Sequence, residues 1–292
     1  MRHSFATALF VLASAALAVG GAAPAAAEDK PAGTIRIEYV PPKNPEHQAL
    51  YALVQERHAL EKVQNVFGAL RLPMDLKVRT IGCDGVSNAW YQPIDNVPTV
   101  TLCYEYLYEI WKTLPVATTE GITRIDAVAG QFFFAVAHEF GHLVFDVYDV
   151  PIFAHQEDAA DAFATYVMLQ FREDAPRLIS GAAWSYYQFI KDFREHPKAT
   201  LPLAAFSSNH GQPEERFFNL LCIAYGSDQK LYAGMVEKGY LPQSRAKDCK
   251  YEFGDLQRAF RQQIAPHIDK ERAAKVLATG WLTGVVEPPR LR

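Results

Sequence analysis

Two histidines and a glutamate stand at a spacing that suits metal chemistry in the segment His138-Glu139-Phe140-Gly141-His142. Positions i and i+4 lie on the same face of an α-helix, so the two imidazoles can bind one metal ion. Glu139 then turns toward the open side of that ion, where it can act on a metal-bound water. The segment predicts a zinc site with His138 and His142 as ligands and Glu139 as the catalytic residue.

The residues around this motif favour a buried helix. Residues 125–145 contain no proline and few charges, and the run Phe132, Phe133 and Phe134 is typical of a core. Two histidines and a glutamate in such a helix are costly unless they are paired or coordinated, which favours a site. Two core histidines satisfied by backbone carbonyls are the alternative.

A catalytic zinc ion takes three protein ligands and keeps its fourth position for water, so one more donor is expected downstream. A metzincin would have glycine at position 145 and histidine at position 148, whereas this chain has Phe145 and Tyr148. That class is therefore excluded. Glu157 and Asp161 lie four residues apart, so they share one face of a second predicted helix.

Other residues near Glu157 are alternatives for the third ligand. Asp161 offers a carboxylate as a direct ligand, and His155 offers a ring nitrogen. Asp158 is about 100° away from Glu157 around a helix, which directs it off the metal face. Carboxylates in a first helical turn also complement the helix dipole without binding an ion.

The motif H-E-x-x-H followed by E-x-x-x-D resembles that of the gluzincins, the thermolysin-like zinc peptidases. The resemblance implies that Glu157 is the third ligand and that Asp161 accepts the free ring N–H of His138. A carboxylate in that position fixes the histidine tautomer and raises its basicity as a ligand.

The segment Asn88-Ala89-Trp90-Tyr91 resembles the edge strand that binds substrate in thermolysin-like enzymes. The resemblance implies that Asn88 and Ala89 contact the substrate backbone, because an open strand edge offers unpaired N–H and C=O groups to a peptide. An ordinary half-buried strand is the alternative.

His210 precedes a predicted helix over residues 213–225. In gluzincins a histidine or tyrosine beyond the ligand helices stabilises the oxyanion, and the resemblance implies that role for His210. An exposed loop histidine is the alternative. Arg216 and Asn219, on the next turns of the helix, could line the same wall as His210, but surface and capping contacts are the favoured expectation.

The stretch from about residue 83 to residue 226 is also similar to a family of exported bacterial proteins described as metallopeptidases from their motifs. In that family H-E-[FY]-G-H is followed by E-D-x-A-D, then by His-Gly, Arg-Phe and a cysteine in a helix. This chain has Arg216-Phe217 and Cys222 at the matching places. The resemblance bears on the fold and the site, and it names no substrate.

The N-terminus has the pattern of a secretory signal peptide. A basic start precedes an Ala-rich apolar stretch over residues 5–19, and three alanines end at Ala27. We expect cleavage after Ala27, which leaves residues 28–292 as a soluble protein in the periplasm or outside the cell. An uncleaved anchor is the alternative, but the stretch is short for a span, so no stable membrane insertion is expected.

The cysteine content suits an oxidising compartment. An even number of cysteines predicts two disulfides, and the pairs that close the shortest loops are Cys83–Cys103 and Cys222–Cys249. Each bridge would contribute roughly 3 kcal/mol by constraining the unfolded chain. Zinc binding by these cysteines is disfavoured because the chain has no C-x-x-C pair.

Composition is that of a globular protein, with 292 residues, 49% hydrophobic and 21% charged. A net charge of −4 offers no basic surface for nucleic acid or anionic membrane. We expect one zincin-like domain over residues 28–292, with a sheet lobe over about 34–120 and a helical lobe over about 121–285.

The periodicity predicts an α+β fold of the zincin-like type: a small N-terminal mixed sheet, an active-site helix and a mostly helical C-terminal half. The expected strands cover residues 34–40, 75–81, 89–92 and 99–103. A first helix is expected to begin at Asn44-Pro45 and to continue to about Leu70. The other helices are expected over residues 104–114, 125–145, from 157 onward, and over 182–193, 213–225 and 253–264, with Gly226 and Gly254 as boundaries.

Together these features predict an exported zinc metallopeptidase that hydrolyses peptide bonds with one zinc-activated water and Glu139 as general base. Its partner would be a peptide or protein substrate. Two alternatives stay open: a metal-bound envelope or binding module without activity, and a metallohydrolase of a non-peptide amide.

Overall fold

The computed structural model describes residues 33–113, 121–153, 155–195 and 207–282. The predicted signal peptide, residues 1–27, lies outside this part of the chain. The described residues all belong to one compact unit, which the chain forms from Ala32 onward.

The sheet has four strands in the order β1-β2-β4-β3. They are β1 (Ile35–Tyr39), β2 (Leu76–Ile81), β3 (Ala89–Ile94) and β4 (Val97–Cys103). β1, β2 and β4 run parallel, whereas β3 is antiparallel to β4 and forms an edge. The β3–β4 turn, Asp95-Asn96, has positive φ at both residues, as a two-residue hairpin turn requires. The sheet is therefore mixed, as predicted.

Eleven helices occur in the described residues: α1 (Gln48–Glu56), α2 (Ala59–Phe67), α3 (Tyr104–Thr113), α4 (Arg124–Val147), α5 (Gln156–Leu169), α6 (Ala175–Glu195), α7 (Pro213–Ser227), α8 (Ala233–Glu237), α9 (Gln243–Ala246), α10 (Cys249–Gln263) and α11 (Lys270–Thr279). Together with the sheet they give an α+β fold with a mostly helical second half, which confirms the predicted fold class.

The predicted first helix is interrupted. After a short 3-10 turn at Pro45–His47, α1 ends at Glu56 and α2 begins at Ala59. His58 between them has a left-handed backbone with φ of 51°, which breaks the helical hydrogen-bond ladder. The hydroxyl of Tyr39 then accepts the Leu60 backbone N–H at 2.8 Å and satisfies a donor at the start of α2. No glycine or proline marks this break in the sequence.

Helix α4 carries the HEFGH segment and is buried on almost every side. It begins at a capping box, in which Thr123 and Asp126 exchange side-chain and backbone hydrogen bonds. Among the described residues, α4 is the one helix long and apolar enough to span a membrane, but 89% of its apolar window is buried inside the protein. Phe132, Phe133 and Phe134 are core residues, as expected.

Small residues let α4 pack closely against its two main neighbours. A Cβ atom on Gly130 would lie 2.6 Å from the carbonyl oxygen of Leu178 in α6. A Cβ atom on Gly141, inside the HEFGH segment, would lie 3.1 Å from the Cα atom of Ala160 in α5. Gly141 and Ala160 therefore bring the backbones of α4 and α5 together at the height of the predicted ligands.

Three helices in the described part were not predicted, namely α8, α9 and α11. One of the two boundary glycines differs from expectation. Gly226 lies one residue before the end of α7, close to its predicted place, whereas Gly254 lies inside α10, so its prediction as a boundary was wrong. A Cβ atom on Gly254 would meet no atom within 4 Å, which shows that neither packing nor backbone conformation requires glycine there.

Two disulfides join Cys83 to Cys103 and Cys222 to Cys249, the pairs that close the shortest loops. The first connects the end of β4 to the segment that leads into the edge strand β3. The second connects α7 to α10. Disulfides of this kind are typical of proteins that work in an oxidising compartment.

Candidate metal centre

Three side chains from α4 and α5 meet at one point. The Nε2 atoms of His138 and His142 are 3.2 Å apart, and Glu157 Oε2 lies 3.1 Å from the first and 3.3 Å from the second. These atoms form a nearly equilateral triangle of two imidazole nitrogens and one carboxylate oxygen. They are one of the groups in the described residues with metal-binding donors close together.

The triangle has the dimensions of a zinc site. Donors about 2.0–2.1 Å from a tetrahedral zinc ion lie about 3.3–3.4 Å from one another. The observed edges of 3.1–3.3 Å are close to that spacing. Two histidines and one glutamate are also a donor set that catalytic zinc sites use.

The hydrogen bonds behind the ligands leave their lone pairs facing the triangle. Nδ1 of His138 lies 2.6 Å from Asp161 Oδ1, and Nδ1 of His142 lies 3.1 Å from Gln156 Oε1. Because both partners accept, each neutral ring carries its proton on Nδ1 and presents a bare Nε2. Three acceptors this close repel one another unless a cation lies between them, so the residues fit a metal ion.

The pKa values of His138 and Glu157 also indicate that the site is stabilised by a positive charge. Burial opposes protonation of His138, but hydrogen bonds to Asp161 and Glu157 outweigh it and raise its pKa to about 9. Burial would raise the pKa of Glu157, yet contacts with His138 and His142 hold that pKa well below its usual range. Without a metal ion, a proton on the imidazole takes the place of the cation.

Asp161 connects His138 to Arg216, a partly buried arginine that was expected at the surface. Arg216 Nε lies 2.7 Å from Asp161 Oδ2, and a second guanidinium nitrogen lies 2.7 Å from Oδ1. The guanidinium also lies over the Tyr186 ring, 5.2 Å from its centre. The prediction of a surface or capping role for Arg216 was therefore wrong, because α7 packs its first turns against α5. Asn219 has a structural contact, accepting a hydrogen bond from Arg245.

We expect Arg216→Ala to lower the free energy of unfolding by about 3–5 kcal/mol, because it leaves the buried carboxylate of Asp161 without its cation. Denaturant unfolding measures this loss. The double variant Arg216→Met/Asp161→Asn should recover most of it, since no uncompensated charge remains. Arg177→Ala is the matched control: its ion pair with Asp126 has an arginine that is 46% exposed, so its cost should be smaller. Equal losses for Arg216→Ala and Arg177→Ala would contradict the argument.

Glu139 is buried beside the triangle and faces the edge strand. It is 8% exposed, and it accepts a hydrogen bond from the Tyr91 backbone N–H in β3. Burial raises the pKa of the Glu139 carboxyl above its usual range. The carboxylate therefore lies between the candidate ligands and the open edge of the sheet.

The open edge of β3 runs past this carboxylate. The Asn88 carbonyl accepts from the Cys103 N–H, which shows that Asn88 points its backbone toward the neighbouring strand β4. Backbone groups alternate along a strand, so Ala89 and Tyr91 direct theirs to the open edge. Of the two predicted substrate contacts, Ala89 directs backbone groups to the open edge of β3, whereas Asn88 offers an exposed side chain.

His210 also reaches the site, through Glu157. Its Nε2 atom is 2.9 Å from Glu157 Oε2, and its side chain is 49% exposed. Burial lowers the pKa of His210, and the neighbouring Arg216 and His138 lower it further. The preceding residue, Asn209, places Nδ2 3.5 Å from the other oxygen of Glu157. Sequence reasoning did not single out Asn209, and its contact depends on how the loop folds.

The alternatives for the third ligand lie elsewhere. His155 and Asp158 are exposed at the start of α5. Asp161 contacts His138 through Nδ1, on the ring edge opposite the triangle, and not through Nε2. Of the four residues weighed as the third ligand, Glu157 is the one whose carboxylate joins both imidazoles.

A family described as "Putative metallopeptidase" matches residues 39–264 of the chain. Among curated proteins and among solved structures, none matches it. The matched range contains the edge strand, both ligand helices, and α7 with its preceding loop. The chain therefore belongs to this metallopeptidase family, DUF4344.

Proposed function

We propose that the protein is an exported zinc-dependent peptidase of the gluzincin type, with His138, His142 and Glu157 as zinc ligands. The observation that carries the proposal is the triangle of three lone-pair donors with the buried Glu139 carboxylate beside it. Zinc suits the donor set of two imidazoles and one carboxylate. When bound, zinc would supply a Lewis acid that acidifies water and polarises a carbonyl.

Glu139 acts as the general base. It takes a proton from the attacking water as the new C–O bond forms, and it passes that proton to the amide nitrogen as the C–N bond breaks. Burial raises the pKa of the Glu139 carboxyl, which makes it a stronger proton acceptor. The gluzincin resemblance implies that His210 stabilises the oxyanion, whereas its Nε2 atom lies 2.9 Å from Glu157 Oε2.

The substrate binds as an added strand along β3. Ala89 offers its backbone N–H and C=O along the open edge, and Tyr91 offers its C=O, because the Tyr91 N–H already bonds Glu139. An extended peptide can pair with these groups. Asn88 contributes a side-chain amide at the start of the same strand. Because main-chain hydrogen bonds do not depend on the side chains of the substrate, this arrangement suits peptides of many sequences.

Export rests on two features that agree. Residues 1–27 have the pattern of a signal peptide, and the mature chain contains two disulfides. We propose that the enzyme works in the periplasm or outside the cell after cleavage near Ala27.

A digestion experiment tests this function. The purified mature protein is incubated with casein and with a peptide library, with and without a chelator, and zinc is then restored. We expect cleavage that the chelator stops and that zinc restores. Bound zinc without cleavage of any peptide would contradict the proposal and favour a metal-bound binding module. Hydrolysis of small non-peptide amides alone would favour the second alternative.

A further inference from the structure

His210 contacts the carboxylate of Glu157, the candidate third ligand. Its Nε2 atom is 2.9 Å from Glu157 Oε2, the same oxygen that lies 3.1 Å and 3.3 Å from the two ligand imidazoles. Asn209 Nδ2 lies 3.5 Å from Oε1, at the outer limit of a hydrogen bond. We propose that His210 is a positioning residue that holds the Glu157 carboxylate for the metal ion. The inference rests on the proposed function.

The chemistry of the two groups determines which of them donates the hydrogen. An ionised carboxylate only accepts hydrogen bonds, so the proton of the contact belongs to His210 Nε2. Glu157 has a flexible side chain in the first turn of α5, and several of its rotamers would take the carboxylate away from the imidazoles. A donor in contact with Oε2 disfavours those rotamers, and coordinating carboxylates are generally held by such donors.

The first turns of α7 and the loop before it hold two of the three acidic residues of α5. Glu157 and Asp161 lie one helical turn apart, and each has its own partner: His210 for Glu157 and Arg216 for Asp161. The loop is connected to the helix by a capping box between Gln212 and Glu215. One segment of chain therefore orients the third ligand directly and the first ligand through Asp161.

This role differs from that of an oxyanion donor in what it predicts. While its Nε2 atom contacts Glu157 at 2.9 Å, His210 does not offer a proton on that atom to a substrate oxygen. A residue that positions a ligand changes the affinity for metal in the absence of substrate. A residue that acts only on the oxyanion changes turnover and leaves metal affinity unchanged.

The test compares His210→Ala with His210→Gln by competition with a chelator for zinc, followed by peptide hydrolysis at saturating zinc. We expect His210→Ala to weaken zinc binding about 10–100-fold, the usual effect of losing a partner of a ligand. Glutamine places an N–H close to the position of Nε2, so His210→Gln should bind zinc nearly as tightly as the wild type. His155→Ala, which changes an exposed histidine near the same helix, should leave zinc binding unchanged.

The possible outcomes test the positioning role of His210 and the peptidase function separately. Wild-type zinc affinity in His210→Ala overturns the positioning role, and a fall in turnover alone would assign His210 to the oxyanion. Equal losses in the alanine and glutamine variants also overturn it, because the N–H donor would then not be the cause. Zinc binding that weakens as expected in a protein without peptidase activity supports the positioning role while the proposed reaction fails. A wild-type protein that binds no zinc overturns both.

Discussion

Glu139→Gln should keep its zinc and lose hydrolysis by about 10²–10⁴-fold, the contribution that a positioned general base makes. The amide has the size of the carboxylate and still accepts the Tyr91 N–H through its oxygen, so the fold around β3 should not change. The neutral amide, however, cannot take a proton from water. Zinc content by metal analysis, and kcat and kcat/KM on a cleaved peptide, measure the two effects separately.

The matched control is Glu61→Gln, which changes a carboxylate of α2 that accepts a hydrogen bond from Tyr39. Its activity should equal that of the wild type. Substantial hydrolysis by Glu139→Gln would rule out Glu139 as the base. Loss of zinc from that variant would instead indicate that Glu139 is a ligand, which the triangle of donors does not predict.

His142→Ala should lower zinc affinity by more than the 10–100-fold that is typical of residues behind a ligand, because it removes a donor itself. Two donors, His138 and Glu157, would remain, and activity should fall with the bound zinc. Metal analysis after dialysis against a weak chelator measures the loss. Without His142, two acceptors and not three lie close together in the metal-free site, so we expect little effect on folding.

Far-UV circular dichroism and a thermal melt of the metal-free proteins provide the control for folding. The metal-free variant and the metal-free wild type should melt at similar temperatures, whereas added zinc should stabilise the wild type more. Unchanged zinc content in a folded His142→Ala variant would exclude His142 as a ligand.

The helical part of the candidate site follows from local rules. Helical periodicity places His138 and His142 on one face of α4 and Glu157 and Asp161 on one face of α5, wherever the two helices lie. That the faces meet depends on small residues, and Gly141 is itself part of the motif. Such contacts within and between neighbouring helices leave a recognisable spacing in the sequence.

The contacts from α7 leave no such spacing. Arg216 lies 55 residues from Asp161, and the two meet only because α7 packs beside α5. A lone arginine in the first turns of a helix is normally exposed, so composition and periodicity favoured the wrong environment. The same holds for His210, because the loop sequence does not predict its contact with the Glu157 carboxylate.

The strands and long helices were predicted because their apolar residues alternate with the period of their structure. The interruption at His58 had no signal, since a left-handed histidine is rare and tertiary contacts, including the Tyr39 hydroxyl, stabilise the new helix start. The short helices α8 and α9 are only five and four residues long, too short for a periodic pattern. The prediction of a helix boundary at Gly254 was wrong because glycine is tolerated on a partly exposed helix face at a modest energetic cost.

Anomalous diffraction at the zinc absorption edge, from crystals of the mature protein grown with zinc, would locate the metal ion. We expect one peak about 2.0–2.2 Å from His138 Nε2, His142 Nε2 and a carboxylate oxygen of Glu157. A peak bound to other residues, or a Glu157 carboxylate turned away from both imidazoles, would contradict the proposed zinc site.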